Sequence, residues 1–201
     1  MLVLRTAAAS PFGRKVRLAA ALAGLSDRLR VEPADTNDPA DSLRAQNPLG
    51  KIPVLVEEDG TATYDSRVIV EALDHMGGGG HVLPQDPAAR IAARRLEALA
   101  DGICDAAVLV IYEGRWRPEG MRSETWLAHQ RAKVDRALAV LEADPPALDP
   151  IMVGEIAVAA ALGYLDLRHG GAWRAEHPRL VAWLDAFASK VPAFEDTRPA
   201  G

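Results

Sequence analysis

Ser10 and Ser66 stand where hydroxyl chemistry is easiest to build, each at the start of an expected helix. In Ser10-Pro11 the serine fits an N-cap and the proline fits the first helical position, where its missing N–H costs nothing. A hydroxyl there also meets the positive end of a helix dipole, so the pair favours an anion held against it. Asp65-Ser66 precedes Val68, Ile69, Ala72 and Leu73, an apolar helical face, with Ser66 as the expected N-cap. Free N–H groups and a hydroxyl would then point at one spot, and such a spot suits a carboxylate. Lys51, just before Ile52-Pro53, adds a cation in a loop. Each dipeptide also reads as ordinary capping, and Lys51 also reads as a solvated surface lysine. Other chemistries find less support. His75, His81, His129, His169 and His177 show no metal-ligand spacing, so no metal site is expected. The single cysteine, Cys104, rules out an intramolecular disulfide and a Cys-x-x-Cys pair. It follows Ile103 on the apolar side of a helix and reads as a buried, inert thiol.

The elements that must position these residues follow from periodicity. Leu2-Val3-Leu4 is a short apolar run, expected as a buried strand. Val16, Ala19, Ala20 and Ala23 recur at helical spacing until Gly24. Leu29 and Val31 alternate with Arg28, Arg30 and Glu32, giving a second strand that stops at Pro33, so the first three elements form a right-handed βαβ unit. A polar connection over 34–46 leaves room for one helical turn near Ser42–Ala45. Asn47-Pro48-Leu49-Gly50-Lys51-Ile52-Pro53-Val54-Leu55 reads as a loop running into a strand. Pro53 has no N–H for a ladder, so it fits only the strand's first residue or an edge. Asp59-Gly60 is a strong hairpin signal, and a helix is expected from Val68 to His75. The layout over 1–76 is β-α-β-α-β-β-α. Gly77-Gly78-Gly79-Gly80 predicts a flexible linker, placed at 77–86. From Ala88 the reading is helical. Leu96, Leu99, Ile103, Ala106 and Val110 mark one long amphipathic helix, broken between Gly114 and Gly120. Ser123 can cap a second helix carrying Leu127, Val134, Leu138 and Leu141. Ile156–Leu167 is apolar nearly all round and is expected at the centre of the second domain, 87–201. Pro178 opens a last helix, with Leu180, Leu184, Phe187 and Val191 on one side.

Bulk properties narrow the function classes. The 201 residues carry a net charge of −5, with 49% hydrophobic and 25% charged residues, an ordinary globular balance. No basic patch stands out, so nucleic acid is not an expected partner. No apolar run approaches the ~18 residues of a membrane span, and Met1–Ser10 lacks the basic start of a secretory signal. The cytoplasm is the expected location.

Asn47–Leu55, the Asp59-Gly60 hairpin and Asp65-Ser66 together resemble the glutathione S-transferase family, which carries Asn-Pro-x-Gly-Lys-x-Pro-x-Leu, a β-hairpin and Glu/Asp-Ser at a helix start. Glu155-Ile156-Ala157 and the run Ala161–Arg168 extend the resemblance to the helical half, with Met152 where the family has a capping Ser or Thr. That absence should cost about 1 kcal/mol. The resemblance implies a thioredoxin-like α/β N-terminal domain followed by an all-α helical bundle. It further implies that Ser10 is the catalytic residue, holding the thiolate of glutathione, whose thiol would otherwise have a pKa near ~8.5. Lowering it by about two units takes roughly 2.7 kcal/mol of preferential anion stabilisation. By the same resemblance Ile52-Pro53 is cis and presents the Ile52 main chain to the cysteinyl part, and Lys51 reaches the glycyl carboxylate. Ser66 receives the γ-glutamyl carboxylate, and Asp65 pairs with its amino group. Phe12, Tyr112, Arg115, Trp116 and Trp126 are candidates to line the acceptor site, with packing as their alternative role. The expected activity is conjugation of glutathione to a small electrophile by a homodimer, with glutathione as co-substrate and no other cofactor. Two alternatives stay open: a non-catalytic binding or regulatory module, and peroxidase, isomerase or thiol–disulfide exchange chemistry on the same scaffold. The absence of Cys at position 10 weighs against exchange.

Overall fold

The computed structural model describes residues 1–199. Leu2–Thr6 forms strand β1, with Leu2, Leu4 and Thr6 turned into the core in the alternation a half-buried strand requires. Helix α1, Pro11–Leu22, starts on the Ser10 cap and leads to β2, Leu29–Pro33. β2 lies parallel to β1, with Val31 opposite Leu4. A one-turn helix α2, Leu43–Gln46, precedes β3, Val54–Val56, and β4, Ala62–Thr63. β3 is antiparallel to both β1 and β4, and the sheet order is β2-β1-β3-β4. The expected β-α-β-α-β-β-α layout is therefore present, closed by α3, Ser66–Met76. β2 is an edge strand, and its Val31 is exposed. The hairpin turn forms as Asp59-Gly60 dictates: Gly60 sits at φ +87° and the Thr61 N–H donates to Asp59 Oδ1 at 2.8 Å.

The tetraglycine segment is not a loose linker. Gly78, Gly79 and Gly80 all take positive φ, wrapping the chain around the Asp74 carboxylate. Asp74 accepts from the N–H groups of Gly80, His81 and Val82 at 3.0, 2.9 and 2.8 Å, and Val82 and Leu83 enter the core. Glycine supplies the turn; the buried aspartate removes the freedom that glycine alone would leave. Burial works against the Asp74 charge, yet the N–H bonds from Val82, Gly80, His81 and Leu83 outweigh it and hold the carboxyl below its usual range. Asp74→Asn is expected to cost about 2 kcal/mol at neutral pH, as for a hydrogen bond to a charged group. Because the folded-state pKa is depressed, this contribution is present above the ordinary carboxylate pKa and is lost as pH falls through the folded one. Urea melts of both proteins should therefore converge on acidification.

The helical half comprises α4 (Pro87–Trp116), α5 (Glu124–Ala143), α6 (Val153–His169), α7 (Pro178–Lys190) and α8 (Ala193–Asp196). α4 runs on through Gly114, where a break had been expected, and ends before Pro118. That fits the rules: one helical glycine costs only about 1 kcal/mol, whereas the residue before proline is driven out of the helical region. Ser123 caps α5 by accepting from the Trp126 N–H. α6 is the buried centre, with Val153, Gly154 and every residue from Ile156 to Leu165 out of solvent. Met152 offers no polar cap, but Glu155 reaches back and accepts from the Met152 N–H at 2.8 Å, which supplies half of a capping box. Both halves share one core: Leu4, Leu18 and Ile69 belong to the same hydrophobic cluster as Ile103, Ile156 and Leu162.

Candidate functional site

Strand register brings the three sequence-predicted groups to one end of the sheet. Val54 lies opposite Arg5, so Pro53 faces the end of β1 and the loop that leads to Ser10. Thr63 lies opposite Leu55, so Asp65, two residues on, emerges level with Pro53. β1, β3 and β4 are consecutive in the sheet. Ser10 follows the first, Ile52-Pro53 enters the second and Asp65-Ser66 leaves the third, over two strand spacings of roughly 10 Å in all. α1 is held hard against β1 at this point. A Cβ on Gly13 would lie 2.0 Å from Thr6 Oγ1, so only glycine lets the first turn of α1 approach so closely.

Each group keeps free hydrogen-bonding capacity. Ser10 Oγ accepts from the Gly13 N–H at 3.1 Å, which leaves its own O–H to donate elsewhere. The Ile52–Pro53 bond is cis, and no hydrogen bond among the described residues engages the Ile52 N–H or carbonyl. Asp65, rather than Ser66, is the N-cap of α3: its carboxylate accepts from the Arg67 N–H at 3.0 Å. Ser66 is the first helical residue, buried, with its hydroxyl and N–H unengaged among the described residues. The assignment of the cap to Ser66 is thus corrected. Asp is as good a cap as Ser, and its place one residue earlier leaves the serine hydroxyl without a capping role.

Beneath this end lies an ion network that periodicity did not announce. Lys15 of α1, 1% exposed, donates to Glu97 Oε1 at 2.9 Å and to both Asp101 oxygens at 2.8 and 2.9 Å. Asp101 also receives Arg67 Nε at 2.9 Å, and Glu97 receives Arg94 at 2.8 Å. Arg67 follows Ser66 directly, so Asp101 fixes the start of α3 against α4, and Lys15 ties the same carboxylate to α1. The bond to Asp101 raises the Arg67 pKa. Asp105, one turn along α4, has its pKa raised by burial and by Asp101, while Arg67, Lys51 and Lys15 oppose the rise. One signal for this network was legible. Glu97, Asp101, Cys104 and Val108 follow the i, i+4, i+7, i+11 spacing of a buried helix stripe, and two acids in such a stripe require buried cations.

The acceptor-site candidates separate. Phe12 is half-buried with Lys15 Nζ 6.0 Å from its ring centre, close to the network. Tyr112 lies eleven residues beyond Asp101, about three turns, and so shares its face roughly 16 Å further along α4. Arg115 stacks its guanidinium 5.1 Å from the Tyr112 ring. Trp116 and Trp126 are exposed. Trp126 stacks on His129 and takes Lys133 over its ring. Cys104 is buried, with its thiol pKa driven far up by burial, as befits an inert thiol. Among the described residues no group of three or more His, Cys, Asp or Glu could hold a metal, and no helix is long and apolar enough to cross a membrane.

Comparison with known proteins gives one consistent result. The glutathione S-transferase N-terminal domain matches residues 9–76 and the glutathione S-transferase C-terminal domain matches residues 124–186. An uncharacterised GST-like protein of Escherichia coli, YibF, is 39% identical over 80% of this chain and 81% of its own. A glutathione transferase family member from Pseudomonas fluorescens, solved with bound glutathione, is 42% identical with a TM-score of 0.92 over the whole of both chains. A glutathione S-transferase from Methylobacillus flagellatus, also with glutathione bound, is 41% identical with a TM-score of 0.87, again over both whole chains.

Proposed function

The chain belongs to the glutathione S-transferase family, and we propose that it is a glutathione transferase, adding the thiolate of glutathione to a small electrophile. The observation that carries this reading is the convergence of the Ser10 hydroxyl, the free Ile52 main chain and the Ser66 helix start at one end of three adjacent strands. Bound glutathione in the Pseudomonas and Methylobacillus relatives supports it.

In this reading the Ile52 N–H and carbonyl take the cysteinyl residue as a short added strand, with Pro53 fixing the bend. The Ser66 hydroxyl and the free N–H groups of α3 take the γ-glutamyl carboxylate, aided by the helix dipole, while Asp65 takes the amino group. Lys51 takes the glycyl carboxylate. The thiol then lies against Ser10, whose hydroxyl donates to the thiolate while still accepting from the Gly13 N–H. The thiolate attacks the electrophilic carbon, a C–S bond forms, and the acceptor's leaving group departs with its electron pair. Glutathione is the co-substrate, no other cofactor takes part, and the protein works as a cytoplasmic homodimer.

Calorimetric titration with glutathione and a conjugation assay with an aromatic halide test this reading. Saturable binding with turnover is expected; a chain that binds no glutathione overturns it. Lys51→Ala is expected to raise the KM for glutathione about tenfold, the worth of one charge-assisted bond. It should leave kcat nearly unchanged, because that contact is the same in ground and transition states. Steady-state kinetics at varied glutathione separates the two constants.

A further inference from the structure

Behind the Ser10 turn the fold leaves a cavity of about 250 Å3, open between the first turns of α1, the end of β1 and β2. β2 flanks β1 on the side away from β3, so this hollow lies across β1 from Ile52-Pro53, apart from the end proposed for glutathione. Its wall includes Ala7, Gly13 and Arg14, the three residues whose main chains hold Ser10. The Ser10 N–H donates to the Ala7 carbonyl at 3.0 Å. The Gly13 N–H donates to the Ser10 hydroxyl at 3.1 Å, and the Arg14 N–H to the Ser10 carbonyl at 3.0 Å.

Two cations of this wall lack an acid. Arg14, 6% exposed, donates to the Phe194 carbonyl at 2.6 Å and to Thr197 Oγ1 at 3.3 Å. Arg17, half-buried and also in the wall, reaches only the Thr197 and Asp196 carbonyls, at 3.3 and 3.5 Å, beyond the usual range of such bonds. Both side chains thus meet at Thr197, and among the described residues neither has a carboxylate at ion-pair distance. Glu195, close by in the chain, is held by Arg198 at 2.7 Å. Burial and the Arg198 charge lower the Arg14 pKa to about 10, and burial lowers that of Arg17. Guanidinium groups keep their charge all the same, so the pair carries a desolvation cost that no anion offsets. Thr6, 3% exposed, adds a hydroxyl whose one bond, to the Ala7 carbonyl, is 3.5 Å long, so a buried O–H of the same wall is barely satisfied.

We propose that this cavity is a binding site for a small organic carboxylate, distinct from the glutathione and acceptor sites. Arg17, the more accessible cation, takes the carboxylate, with the Arg14 charge behind it and the Thr6 O–H as a further donor. Ala8, Val31 and Pro33 supply an apolar side, which favours an organic acid over inorganic phosphate. The volume falls below the roughly 300 Å3 at which pockets for drug-sized ligands begin, so the ligand is on the scale of a single ring. The site stands whether or not the chain conjugates glutathione.

The test compares para-fluorobenzoate with para-fluorobenzamide, which differ in a carboxylate against a carboxamide. Fluorine NMR titrations on the full chain are run with S-hexylglutathione present, which fills the thiol and acceptor ends in the transferase reading. The benzoate is expected to bind about tenfold or more tightly than the amide, as for hydrogen bonds to a charged group, and its backbone amide shifts should gather at Ala7, Ala8 and Gly13. Arg17→Gln should bring the two ligands level. Val31→Trp, at an exposed strand position where an aromatic is tolerated, should weaken the benzoate at least tenfold by filling the mouth; melting curves establish that both variants are folded. If the two ligands bind alike, if either folded variant keeps the wild-type affinity for the benzoate, or if the shifts gather at Lys51 and Ser66 instead, the site is overturned.

Discussion

Replacing Ser10 by Ala is expected to lower kcat/KM for glutathione conjugation by roughly tenfold to a hundredfold. The hydroxyl bond to a thiolate is one to a charged group, worth about 1.5–3 kcal/mol, and it acts on the anion that must form before attack. The pH profile distinguishes activation from mere positioning. If Ser10 lowers the thiol pKa, the acid limb of kcat/KM shifts up toward the free-thiol value of about 8.5 in the variant. If it only orients the sulfur, the limb stays in place while the plateau drops. Ser10 is also the N-cap of α1, so Ser10→Ala should cost about 1 kcal/mol of stability as well. Ser10→Gly loses only a few tenths by that measure and removes the same hydroxyl, so the two variants should share the kinetic defect and differ in their melts. Unchanged turnover in the glycine variant would remove the hydroxyl from the mechanism.

Lys15→Met is expected to have the largest effect on stability, about 3 kcal/mol or more. The ammonium is buried between Glu97 and Asp101, and removing it leaves carboxylates facing each other out of water, for which losses of ~3–5 kcal/mol are usual. Arg94 and Arg67 still hold one oxygen of each acid, which puts the expectation at the lower end. Neutralising the whole cluster in Lys15→Met/Glu97→Gln/Asp101→Asn should recover part of the loss, since what destabilises is uncompensated charge rather than the absent ion pair. Denaturant midpoints of the single and triple variants check this. A triple variant less stable than the single one would show that the network contributes net stability. Because Asp101 also holds Arg67, the single variant should weaken glutathione binding by loosening the start of α3.

The N-terminal half was legible in the sequence because its signals are local. Ser10-Pro11, Asp59-Gly60 and the periodic run after Ser66 each encode a turn or helix start within a few residues, and the resemblance carried by Asn47–Leu55 linked them to a ligand. Where the reading failed, a distant partner had changed the outcome. The four glycines at 77–80 looked loose because nothing in their own stretch announces that the Asp74 carboxylate will gather the N–H groups of Gly80, His81 and Val82.

By itself the sequence determined which residues could cap, turn and donate, since φ preferences and hydrogen-bonding capacity belong to single residues and short stretches. Only the tertiary structure decided which of them meet. The register of β1, β3 and β4 set Ser10, Ile52 and Ser66 at one end of the sheet, and α4 placed Asp101 beneath them. Such meetings depend on side chains separated by dozens of residues sharing one low-dielectric space, where an unpaired charge or donor is costly, and no window of sequence contains that condition.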